Sequence, residues 1–282
     1  MRQFYIFCNG GFGNRFYSLL NGLFLSYHSG LEPKVIWPVN NWCRAGFHDC
    51  FDSELIAVDI DYQSMVDSGQ TINILHNNFF NPNISWISAT GSSLEQILQY
   101  IKSSQLDVFT GTDSLCYYVD RKTVIHGLMP VVPIQRTIQQ QAQQIRTDLF
   151  DSNPYYGIHI RKTDAAHYVN ESEVERIIDG HHHLNFFVCS DSKDTELYYS
   201  SKPNVKCNLK HDYVEKLVPG DWNTSTVDSQ GSQFTMNVDR SKESVLQALQ
   251  DMLLLSYSDL QYNTSSMSSF LKVARLIQDT NE

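Results

Sequence analysis

The segment His159-Ile160-Arg161-Lys162-Thr163-Asp164 runs from an apolar, strand-like stretch straight into two cations, a hydroxyl and a carboxylate. Alternation along a strand puts His159 and Arg161 on the same side of the chain. The rigid donor fork of arginine suits phosphate oxygens, so this point could hold a phosphate-bearing anion. The same residues also read as a solvated Arg-Lys pair followed by Asp164 as a helix cap. Two later segments repeat the arrangement. Ser190-Asp191-Ser192 follows the apolar run 186–189, and Ser265-Ser266-Met267-Ser268-Ser269 follows 260–262 just before a helical pattern. Hydroxyls and backbone N–H groups at a helix start bind anions, although each loop alone is equally an ordinary N-cap. Three such loops at one sheet edge, one with an arginine, favour a phosphate-bearing ligand.

Other short motifs carry less. Asp59-Ile60-Asp61 follows a plausible strand and matches the D-x-D pattern that holds a metal and a nucleotide diphosphate in some glycosyltransferases, but three-residue matches are cheap. His181-His182-His183 is three adjacent residues, which do not converge on one ion, and reads better as a turn. Cys43, His48 and Cys50 offer zinc ligands without an evident fourth. The loop Gly10-Gly11-Phe12-Gly13-Asn14-Arg15 lacks the third glycine of a dinucleotide fingerprint. No metal site is expected.

These residues must be positioned by an α/β framework. Residues 3–8 read as a strand, the glycine loop follows, and Phe16, Leu19, Leu20, Leu23, Phe24 and Tyr27 then mark one face of a helix ending at Gly30. Residues 35–38 read as the next strand. Candidate strands follow at 55–60, 72–75, 107–110 and 123–126. Ile134, Ile138, Ala142, Ile145 and Leu149 mark a helix that stops before Asn153-Pro154. Beyond it strands and helices alternate: strands at 156–160, 186–189, 205–207 and 260–262, helices at 171–179, 193–200, 243–256 and 269–278. Such alternation predicts parallel sheets, with ligands gathering beyond the carboxyl ends of the strands. The expected organisation is two α/β domains, 1–135 and 136–282, facing each other across a cleft.

Composition bounds the partners. The 282 residues carry 21 Lys+Arg against 31 Asp+Glu, a net charge of −10. That excludes general nucleic-acid binding, which draws on many cation–phosphate contacts, while leaving room for one small anion in a local basic pocket. No apolar run reaches the length of a membrane span. The N-terminus reads as a strand rather than a signal peptide, and the six cysteines do not form a dense framework. A reduced, cytoplasmic protein is expected.

Taken together, G-G-F-G-N-R at 10–15, H-I-R-K-T-D at 159–164, C-S-D-S at 189–192 and A-L-Q-D-M-L-L-L-S-Y-S-D ahead of S-S-M-S-S-F resemble the fucosyltransferase superfamily. The resemblance is nearest to the α1,6- and nodulation-fucosyltransferase branch, with similarity to protein O-fucosyltransferases. It is spread over most of the chain but strong only at those segments. It implies a GT-B-like fold of two Rossmann-like domains, GDP-fucose as donor substrate with no other cofactor, a glycan acceptor, and metal-independent transfer with inversion. It further implies that Arg161 binds the diphosphate, that His159 lies near the guanine, and that Asp251, eight residues before Asp259, reads the guanine. Asp191 would contact the nucleoside, and Ser266, Ser268 and Ser269 would hold phosphate. Gly13, Asn14 and Arg15 would face the sugar or acceptor. The related enzymes carry a glutamate five residues past the motif aspartate, and here that place is Val169. The candidates for a general base are therefore Asp164, His167, Glu171 and Glu173, with Glu171 preferred. Transfer of another sugar, or nucleotide-sugar binding without turnover, remain the alternatives. A lipid-linked acceptor would bring the protein to the inner face of a membrane.

Overall fold

In the computed structural model, residues 2–75, 85–112, 115–163, 169–224, 226–227, 233–234, 236–262 and 268–281 are described. The chain divides into two compact units, the first 1–39 with 46–133, the second 40–45 with 134–282.

The first unit contains β1 (Gln3–Phe7), α1 (Phe12–Ser29), β2 (Glu32–Ile36), α2 (Phe47–Cys50), β3 (Ile56–Val58), α3 (Tyr62–Asp67), β4 (Thr71–Leu75), β5 (Trp86–Ser88), α4 (Leu94–Lys102), β6 (Asp107–Gly111) and α5 (Arg121–Thr123). Its sheet runs β3-β2-β1-β6-β4-β5, and every pairing is parallel. α1 buries nearly its whole length and ends at Gly30, whose φ of 69° supplies the left-handed cap. The strand expected at 123–126 is instead helical, with α5 passing into a π-helical turn at Val124–Leu128. Asp120 accepts hydrogen bonds from the Thr123 N–H at 2.9 Å and the Thr123 hydroxyl at 2.6 Å, which starts a helical turn that the β-branched residues then continue.

The second unit contains α6 (Arg136–Phe150), β7 (Tyr156–Ile160), α7 (Glu171–Gly180), β8 (Phe186–Ser190), α8 (Lys193–Ser200), β9 (Val205–Lys206), β10 (Thr226–Val227), β11 (Gln233–Phe234), α9 (Lys242–Ser256), β12 (Leu260–Tyr262) and α10 (Ser269–Asn281). The main sheet, β12-β7-β8-β9, is again wholly parallel. β10 and β11 pair antiparallel beside it in sequence as a separate ribbon. Ile158, Ile160, Phe186 and Val188 on the strands pack with Val174 and Ile178 of α7 and Tyr199 of α8 into one buried cluster. The central strand admits α9 closely because of Gly157. A Cβ there would lie 2.8 Å from a Leu255 methyl and 2.9 Å from the Ser258 hydroxyl.

Residues 40–45 belong to this second unit through a clasp of their own. Arg44 grips Asp239 with two hydrogen bonds of 2.7 and 2.8 Å, and its backbone N–H donates to the Arg240 carbonyl. Arg240 returns a backbone bond to Asn41 and lies over the Trp42 ring at 5.7 Å.

Candidate functional site

The carboxyl edge of the β12-β7-β8-β9 sheet gathers the predicted loops. β7 delivers Arg161, Lys162 and Thr163, β8 delivers Ser190 and Asp191, and Ser268 stands just before α10. Parallel β7–β8 pairing sets Ile160 opposite Ser190, so the two loops leave the sheet side by side. Asp164, His167 and Ser266 lie outside the described residues.

Asp191 ties the loops together. Its carboxylate accepts the Lys162 N–H at 2.7 Å and the Thr163 hydroxyl at 2.5 Å, and the Arg161 guanidinium stands 3.9 Å away. Both oxygens thus brace the turn after β7 and so hold the cations in place. Ser192 caps α8 by accepting the Thr195 N–H. Ser268 accepts the Leu271 N–H at 3.2 Å in the first turn of α10, and its hydroxyl lies 3.3 Å from His159 Nδ1. His159 is buried and stacks on Phe270 at 4.7 Å. Burial lowers its pKa to about 4, with Arg161 and Lys210 adding to the effect against Asp191, so the ring is neutral near pH 7. Ser269 opens α10 half-buried.

A pocket of about 410 Å³ opens at this edge, lined among others by Lys162, Thr163, Asp191, His211, Tyr213 and Trp222. His211, Tyr213 and Trp222 have no counterpart in the sequence motifs. They come from an irregular stretch with neither periodicity nor a recognisable spacing, and only the aromatic residues themselves were a signal.

Asp251 sits deep on α9, 2% exposed. Its carboxylate accepts from Lys210 Nζ at 2.8 Å and from Asn208 at 3.1 Å. Lys210 also bonds Glu196, which in turn accepts the Tyr213 hydroxyl at 2.5 Å and the Ser190 N–H at 2.8 Å. Burial and the Asp251 charge push the Glu196 pKa up to about 7. Asp251 is likewise raised by burial, and Lys210 opposes the rise. Asp259 serves the backbone instead, accepting the Tyr155 N–H at 2.9 Å.

Glu171 is exposed in the first turn of α7 and bonds Lys162 Nζ at 2.5 Å. Glu173 pairs with Arg176, at 2.6 Å. Lys162 therefore links the turn after β7 to the start of α7.

In the first unit, Gly10 adopts φ +82° and Gly11 caps α1, so Gly13, Asn14 and Arg15 form its first turn. Arg15 is fully buried. It donates to the Gly10 carbonyl at 2.7 Å and the Pro38 carbonyl at 2.6 Å, and lies 5.2 Å over Trp37. Its guanidinium holds the loop in shape, while Asn14 is half-buried beside it. Asp61 of the D-x-D pattern accepts the Ser64 hydroxyl at the start of α3. His181 bonds the Ile177 carbonyl at the end of α7. Among the described residues no group of His, Cys, Asp or Glu could hold a metal ion, and no helix is long and apolar enough to cross a membrane.

No family model and no curated protein matches the chain. Solved structures do. The chain is similar over 98% of its length to NodZ α1,6-fucosyltransferase co-crystallised with GDP, covering 93% of that chain at 15% identity and a TM-score of 0.58. Fucosyltransferase NodZ from Bradyrhizobium matches over 98% of this chain and 94% of its own, again at 15% identity and 0.58. POFUT1 in complex with GDP matches over 99% of this chain and 96% of its own, at 12% identity and 0.53. The shared property is the fold, and the α/β, GT-B-like class with two Rossmann-like domains expected from the sequence is borne out.

Proposed function

We propose that the protein is an inverting, metal-independent glycosyltransferase that moves fucose from GDP-fucose to a hydroxyl of a glycan. The observation that carries this reading is the convergence of Arg161, Lys162, Thr163 and the starts of α8 and α10 on one sheet edge, in a chain that shares the fold of a fucosyltransferase co-crystallised with GDP. Breaking the bond between sugar and diphosphate leaves an oxocarbenium-like sugar and a leaving group that gains negative charge. Arg161, backbone N–H groups and the serine hydroxyls can stabilise that charge as it develops, which removes the need for a divalent cation. Asp251 can accept from N1–H and the exocyclic amine of guanine together, an edge that adenine lacks. His159, neutral and stacked on Phe270, suits a position beside the base. Glu171 is the general base of this reading, held beside the turn after β7 by its bond to Lys162.

Thermal-shift measurement with GDP, UDP and ADP, followed by transfer from GDP-fucose in excess EDTA, tests it. GDP should raise the melting temperature most, since a ligand that binds the native state stabilises it by mass action. Turnover should persist in EDTA. Preference for UDP would replace the donor, and strict dependence on Mn²⁺ would return the D-x-D pair Asp59 and Asp61 to consideration.

A further inference from the structure

In the second unit a lysine is enclosed by two carboxylates. Lys210 is 5% exposed at its side chain, Glu196 0% and Asp251 4%, and the ammonium bonds both. The three residues come from different places: Glu196 from α8, Asp251 from α9 and Lys210 from the irregular segment after β9. The same segment is pinned elsewhere. His211 and Asp212 donate their backbone N–H groups to Gln247 of α9 at 3.1 and 3.2 Å, and the Lys210 N–H donates to the Tyr213 hydroxyl at 3.1 Å. The residues that follow Lys210 directly, His211, Asp212 and Tyr213, line the pocket.

Each carboxylate oxygen offers two lone-pair sites. On Asp251, Asn208 takes one site on Oδ1 and Lys210 one on Oδ2, which leaves a site on each oxygen. Asp251 is enclosed and is not itself among the residues lining the pocket; in the reading above its two oxygens would meet the two donors of guanine, which both can do only while the carboxylate is ionised. A buried carboxylate without a cation takes up a proton instead and loses one acceptor.

We propose that Lys210 is a positioning residue for base selection: its ammonium keeps Asp251 ionised and aimed, and anchors the chain that leads into the pocket-lining residues 211–213. The inference rests on the reading of Asp251 as the guanine-reading group. Glu196 completes the clamp by holding Lys210, Tyr213 and the Ser190 N–H from the opposite side.

Removing the lysine alone would strand two buried carboxylates and could unfold the protein. The test therefore uses Glu196→Gln, which keeps the lysine–Asp251 pair, and the double variant Glu196→Gln/Lys210→Met, which removes the cation with only one carboxylate left. Dissociation constants for GDP and ADP are measured by calorimetry on the wild type and both variants, with circular dichroism as a check on folding. The expected result is a GDP-over-ADP preference kept within threefold by Glu196→Gln and reduced at least tenfold in the double variant. A purely structural role would weaken both nucleotides alike and leave the ratio unchanged, and a ratio within twofold of wild type in the double variant overturns the proposal. An unfolded double variant is replaced by Lys210→Arg in the Glu196→Gln background, where a retained cation should keep the preference and a lost preference in a folded protein overturns the proposal. A wild type that prefers UDP removes the GDP-fucose reading alone, whereas a GDP-selective wild type with a flat ratio across variants removes this inference alone.

Discussion

Arg161 does two kinds of chemistry with one group: it pairs loosely with Asp191 at 3.9 Å and presents a planar set of donors at the end of β7. If those donors meet the leaving diphosphate, Arg161→Ala should lower transfer by about 10²–10³-fold, the range seen when one such donor is removed. Arg161→Lys should recover only part, because a lysine keeps the charge but not the fork. Steady-state transfer assays on folded variants check both, and near-normal turnover in the alanine variant would remove Arg161 from the mechanism. The residues around it differ in how they could be read from sequence. His159 and Arg161 were legible because a strand pattern ran unbroken into charge. Asp191 was legible as a polar residue after a strand, but its work bracing Lys162 and Thr163 needed the neighbouring strand to be known. Glu196 and Lys210 left no sequence signal. They meet across 14 positions of irregular and helical chain, and Lys210 meets Asp251 across 41.

Elements follow the same logic at larger spacing. α9 lies against β7 only because residue 157 has no side chain, with prospective clashes at 2.8 and 2.9 Å. Gly157→Ala should destabilise the protein by about 1–3 kcal/mol, the usual cost of overpacking. Urea denaturation measures it, and unchanged stability would mean that α9 can back away from the strand without loss. Long, strongly periodic elements such as α1, α6 and α9 were readable from their apolar spacing, and parallel pairing followed from their alternation with strands. Short ones were not. Thr123-Val124-Ile125 has the composition of a strand, and the Asp120 cap outweighed it. α4 is short but carries a local sequence signature, the reciprocal capping box of Ser93 and Gln96. β5 is three residues long and too short for alternation to show.

At the scale of the whole molecule the buried titratable groups oppose one another. The pKa of His159 falls on folding from 6.5 to about 4, so the stability it contributes is full above pH 6.5 and is lost as pH falls toward 4. Glu196 rises from 4.5 to about 7, so its contribution is full below pH 4.5 and is lost as pH rises through 7. Asp251, also raised, acts in the same sense as Glu196. The His159 and Glu196 shifts each correspond to roughly 3 kcal/mol. Between pH 4.5 and 6.5 the histidine slope is opposed by the carboxylate slopes, so wild-type stability should not climb with pH there. Glu196→Gln removes one of the opposing carboxylates, so the slope of stability against pH across the window should become more positive than in the wild type. Urea titrations at a series of pH values decide it, and a variant slope equal to that of the wild type would contradict the opposition. The net charge of −10 gains a sharper meaning as well. Within that acidic total, Arg161 and Lys162 stand at one sheet edge, each beside a carboxylate, Asp191 and Glu171.

The clasp formed by residues 40–45 bears on how such a chain could be reshuffled. The second unit is not one contiguous stretch, because Asp239 takes its bidentate partner from Arg44, far upstream. A single crossover near residue 134, the simplest way for modular enzymes to trade halves, would transplant that unit without its arginine. A hybrid made in this way keeps an exposed Asp239 and an open edge at Arg240 unless the incoming half brings a matching loop. Inheritance of the two units as independent modules is thereby constrained by six residues.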